Sequence, residues 1–149
     1  MKMKLAITII SVLGLSVFSS VVLAGAKIEI TANDQMQFDK KVIEVPAGEE
    51  VTLVFTNLGK LPKAAMGHNV VILQPASDIM AFGAGAIAAA ASEYIPQSGA
   101  LADQLVAHTK QLGPGETDTI AFTLAAGVYK FLCSFPCHYA LMQGTITAK

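Results

Sequence analysis

Cys133-Ser134-Phe135-Pro136-Cys137-His138-Tyr139-Ala140-Leu141-Met142 contains both cysteines of the chain, one of its three histidines and one of its six methionines. A thiolate, an imidazole and a thioether are soft to borderline donors, and together they suit copper. Two imidazoles and one thiolate in a trigonal set, with a weak axial Met, is the electron-transfer arrangement of that metal. The stretch is one imidazole short. His68, in Gly67-His68-Asn69, is the upstream candidate. The fold has to bring these two segments together.

Outward from this loop the sequence reads as short strands. Val128 to Cys133 leads in and Gly144 to Thr147 leads out. Lys27 to Thr31 and Thr117 to Leu124 alternate polar and apolar residues, as half-buried strands do. Glu50 to Asn57 puts Val51, Leu53 and Phe55 on one face. Lys41 to Val45 ends at the turn Pro46-Ala47-Gly48. Asn69 to Leu73 is a β-branched run opened by His68. Leu101 to Lys110 also reads as extended. Between these strands lies an Ala-rich segment, read as one helix over about 78–93, with Ser77 or Asp78 as its N-cap and its end near Pro96. The expected class is an all-β sandwich, antiparallel or mixed, with one inserted helix. Loops cluster at the ends of such sandwiches, so one end can bring His68 to the Cys133–Met142 loop.

The start of the chain reads as an export signal. Met1-Lys2-Met3-Lys4 is basic, Leu5 to Leu23 is almost wholly apolar, and Ala24-Gly25-Ala26 is small. A membrane anchor is the other reading of an apolar run of about 20 residues. The small-residue ending and the lack of a basic flank favour cleavage, after Ala24 or after Ala26. The expected organisation is a signal peptide over 1–24 and a metal-binding domain over 27–149, exported and without stable membrane insertion. Removal of Lys2 and Lys4 takes ten lysines to eight, against eleven acids, for a net charge of −3. There is no Arg and no basic run, which argues against nucleic acid as partner. Two cysteines in an exported chain ordinarily suggest a disulfide, but their placement beside His138 and before Met142 favours a metal role for at least one.

The loop closely resembles the copper loop of azurins, the small blue copper proteins. Asn33-Asp34-Gln35-Met36-Gln37-Phe38, Leu61-Pro62-Lys63, Met66-Gly67-His68-Asn69 and Ala107-His108-Thr109-Lys110 resemble azurin segments in the same order. The resemblance implies a cupredoxin-like Greek-key sandwich and a periplasmic role shuttling single electrons through one type 1 copper. It implies His68, Cys133 and His138 as trigonal ligands, Met142 as the long axial ligand, and the Gly67 carbonyl as a weak opposite one. The Asn69 amide would donate to the Cys133 sulfur, and its side chain would tie the two loops together. His138 would be the electron exit. Transient redox partners, such as c-type cytochromes or terminal reductases, would dock near Met66, Phe135, Pro136 and His138. His108 is read as a surface histidine, and Met36 and Met80 as packing.

Three features depart from the family pattern. Azurins carry Gly where this chain has Cys137. The family's disulfide near the mature N-terminus has no cysteines here. Its second, non-ligand histidine has no counterpart in Asn57-Leu58-Gly59-Lys60. Cys137 has three readings: a bystander, a disulfide partner of Cys133, or a second copper ligand in a dinuclear site. Two other functions compete with the carrier. A copper enzyme needs a second site that three histidines cannot build, so no enzymatic activity is expected. A copper chaperone or store would offer an open, fast-exchanging site.

Overall fold

A computed structural model describes residues 25–149. The expected signal peptide over 1–24 lies outside the described residues. Nine strands among these residues form two sheets. β1 (Ala26–Asn33), β2 (Gln37–Phe38), β4 (Glu50–Asn57) and β7 (Thr117–Thr123) make a four-stranded sheet in the order β2-β1-β4-β7. β3 (Val42–Val45), β5 (Val71–Leu73), β6 (Leu105–His108), β8 (Gly127–Leu132) and β9 (Gln143–Ala148) make a five-stranded sheet in the order β3-β9-β8-β5-β6. β1 runs parallel to β4 and β3 parallel to β9, and the other pairs are antiparallel. The sandwich is therefore mixed.

The main core lies between the sheets. Ile28, Ile30, Val51, Leu53 and Phe55 face Ile43, Phe131 and Ile146 across it. Period-two alternation sends every second residue of β4 inward, so Val51, Leu53 and Phe55 are fully buried, as expected. β5 is buried on both faces, which explains its unbroken apolar run. Ile72 belongs to the main core, while Val71 and Leu73 belong to a second, smaller core with Phe82, Ala86 and Ile95.

That second core holds the inserted flap against the outer face of the five-stranded sheet. Its helix, α2 (Ile79–Ala86), begins at Asp78, whose Oδ1 accepts from the Met80 and Ala81 amides at 2.8 and 3.0 Å. The expected N-cap is found, and the helical segment continues to Ser92, close to its expected end, but it changes type on the way. The α-helix passes into a 3-10 helix over Ile87–Ser92, with a kink at Ala89. Glu93 and Tyr94 then turn left-handed, at φ 55° and 62°. The segment from Gly99, expected to be extended from Leu101, first forms the short helix α3 (Gly99–Ala102). A further short α-helix, α1 (Lys63–Met66), leads directly into Gly67. Met36 packs against the main core and His108 is exposed, both as expected. Met80 is instead half exposed, because α2 buries Phe82, Gly83 and Ala86 and Met80 lies off that face. No helix among the described residues is long and apolar enough to cross a membrane.

Candidate metal centre

Strand register brings the two halves of the site together. Val71 pairs with Leu132, so the residues just before β5 and just after β8 share one end of the sandwich. His68 lies on the lead-in to β5 and is fixed by an exchange of two backbone bonds with Leu112. Its N–H donates to the Leu112 carbonyl at 3.1 Å, and the Leu112 N–H donates back at 2.7 Å.

His68 Nε2 lies 3.0 Å from the Asn33 carbonyl, at the end of β1. A carbonyl only accepts, so Nε2 carries the proton and Nδ1 is left with a free lone pair. That lone pair faces the Cys133 sulfur at 4.0 Å, and His138 Nδ1 approaches the same sulfur at 3.7 Å. The ligand-type atoms of His68, Cys133 and His138 all lie within 4.8 Å of one another, and all three residues are buried. Met142, on the same loop, is fully buried. Its carbonyl accepts from the Cys133 N–H at 3.0 Å, and its N–H donates to the His138 carbonyl at 2.8 Å.

Asn69 ties the loops together as expected. Its Nδ2 donates to Ser134 Oγ and its Oδ1 accepts from the Ser134 N–H, both at 2.9 Å. The Asn69 and Phe135 amides both donate to the Cys133 sulfur. The Asn33 carbonyl, the Phe135 amide and Ser134 are contributions that sequence reasoning missed, because backbone donors and acceptors carry no signature in residue type. Gly67 is buried, and its lack of a side chain has a specific cause: a Cβ there would meet the Gln111 amide and the Lys63 carbonyl.

Burial sets the protonation states. It pushes the Cys133 thiol up to about 12, against the pull of its two amide donors. It lowers His138 to about 4, with His68 as the second cause, and it lowers His68 despite the Asn33 carbonyl and Asp34. The metal-free site therefore holds two neutral imidazoles and a neutral thiol. A metal has to displace the thiol proton but meets imidazole lone pairs already free.

Cys137 stands apart from this cluster. It is exposed, both cysteines are free, and its backbone is left-handed at φ 67°. Phe135, expected on an apolar surface patch, is largely buried, because its ring packs 4.6 Å from the His138 ring. Met66 and Pro136 are half-buried.

The model of the copper binding proteins of the plastocyanin/azurin family matches residues 24–149. An azurin of Bordetella pertussis is 44% identical over 138 residues, covering 89% of this chain and 90% of that protein. An azurin of Pseudomonas fluorescens biotype A is 39% identical, covering 85% of this chain and 100% of that protein. Reduced auracyanin from Roseiflexus castenholzii superposes with a TM-score of 0.73 at 36% identity, covering 84% of this chain and 99% of its own. Two imidazoles and a thiol converging near a buried thioether fit one type 1 copper. The chain belongs to the plastocyanin/azurin family of copper binding proteins.

Proposed function

We propose that this chain is a periplasmic single-electron carrier and not an enzyme, exported by a signal peptide over 1–24, with its copper domain over 27–149. His68 Nδ1, Cys133 Sγ and His138 Nδ1 would hold the copper, with Met142 and the Gly67 carbonyl as weaker donors. The observation that carries this reading is the convergence of three buried ligand atoms within 4.8 Å. Copper held there would supply one-electron chemistry through the Cu(I)/Cu(II) couple.

The chain's own part is to hold geometry. The Asn33 carbonyl orients His68, the Leu112 pairing fixes its backbone, and Asn69 locks one ligand loop to the other. Rearrangement between oxidation states is small when the donors cannot move. The Asn69 and Phe135 amides stabilise negative charge on Cys133 and so tune the potential. Burial excludes water from all three donors. Redox partners such as c-type cytochromes or terminal reductases dock transiently near Met66, Phe135, Pro136 and His138. Phe135 contributes mainly by packing against His138.

The test is the visible and electron paramagnetic resonance spectrum of copper-loaded protein. An intense visible band is expected in the parent and in Cys137→Ser, and its loss in Cys133→Ser. Disappearance of the band in Cys137→Ser would show that the mononuclear assignment is wrong.

A further inference from the structure

We infer that Glu93 and Tyr94, at the end of the flap, are positioning residues that brace the two ligand loops against each other. The inference rests on the copper-site reading above and adds a role for a segment that contains no ligand. Glu93 acts on the His68 side. Its Oε1 accepts from Lys63 Nζ at 2.7 Å, in α1 just before Gly67. Its Oε2 accepts from the Gln111 N–H at 3.1 Å. Gln111 is buried, its side-chain amide fills the space beside Gly67, and the next residue, Leu112, holds His68 by two backbone bonds. One carboxylate thus secures both segments that flank Gly67 and His68.

Tyr94 acts on the other side. Its ring meets the Phe135 ring edge-on, at 5.4 Å and 71°. Phe135 in turn packs on the His138 ring, donates its amide to Cys133 and accepts from the His138 N–H at 3.0 Å. The two residues are consecutive and both left-handed, a conformation that is costly for residues other than glycine. Such backbone persists where its surroundings over-determine it. The Glu93–Lys63 pair is about half exposed, and pairs of that kind add little stability. What the turn does secure is simultaneous contact with both loops.

The experiment compares Glu93→Ala, Tyr94→Ala and the conservative Tyr94→Phe with the parent. Copper affinity is measured by chelator competition, the Cu(II) paramagnetic spectrum is recorded, and histidine ring resonances are followed in metal-free protein. Glu93→Ala and Tyr94→Ala are each expected to weaken copper binding roughly tenfold, as loss of a supporting partner does, and to change the Cu(II) line shape. Glu93→Ala shifts the His68 ring signals, Tyr94→Ala shifts those of His138, and Tyr94→Phe retains parent behaviour. Lower thermal stability in both alanine variants, with affinity, spectrum and ring signals unchanged, overturns the brace. A parent protein without a blue spectrum overturns the copper reading instead, and the metal-free ring signals still decide the brace.

Discussion

Cys137 is the residue at which local chemistry and fold disagree most openly. Its φ of 67° puts it in the left-handed region, where a Cβ crowds the backbone and glycine does not. The turn cannot be abandoned, because it delivers the His138 N–H to the Phe135 carbonyl and starts the 3-10 turn over His138–Ala140. Replacing Cys137 with Gly removes the crowding and leaves the turn in place. We expect Cys137→Gly to stabilise the metal-free protein by about 1 kcal/mol, measured by urea denaturation at fixed pH under reducing conditions. A destabilised variant would mean that the thiol makes a contact worth more than the strain. From sequence alone Cys137 stands between a ligand, a disulfide partner and a bystander. Its exposure outside the buried cluster is a matter of side-chain direction, which spacing from Cys133 does not specify.

At the scale of elements, the strands are legible in the sequence because alternation and burial agree. The extent of the flap helix is legible too, but its change from α to 3-10 at Ile87 is not. Ala88 to Ala91 has the best helix-forming composition, yet the 3-10 segment around it buries no residue. Propensity without a packed face is a weak hold on a helix, so the α-helix stops at Ala86 where its buried face stops. The left-handed turn at Glu93 and Tyr94 is equally hidden, since neither residue type announces it. Gly83 illustrates the reverse case: by composition it only weakens the helix, and in the fold it is a packing residue. A Cβ at Gly83 would meet the Tyr139 ring, and Tyr139 directly follows His138. Gly83→Ala improves intrinsic propensity by up to about 1 kcal/mol but overpacks this contact at a cost of roughly 1–3 kcal/mol. The net expectation is lower stability in chemical denaturation, together with a shift of the His138 ring resonances. An increase in stability would show that Tyr139 yields freely.

For the whole molecule, burying the donor set leaves a pH signature in the metal-free protein. His138 falls from 6.5 in a solvated setting to about 4 in the fold, and His68 is lowered as well. As pH drops below 6.5, the unfolded chain takes up protons that the folded chain refuses, so stability falls until His138 also protonates near 4. Cys133 acts at the other end. Its thiol rises from 9.0 to about 12, so above pH 9.0 the unfolded chain releases a proton that the fold retains. Stability that is fully present below 9.0 is then lost as pH climbs toward 12. The metal-free protein is therefore expected to be most stable between about pH 6.5 and 9.0, with a decline on each side. Urea midpoints measured across this range provide the check. His138→Gln should make the acid decline shallower, with His68 sustaining the remainder, and leave the alkaline one, whereas Cys133→Ser should flatten the alkaline decline and leave the acid one. If either variant retains the parent profile on its own side, the decline there arises from other groups, and burial of His138 or of Cys133, respectively, is not what limits the pH range of the fold on that side.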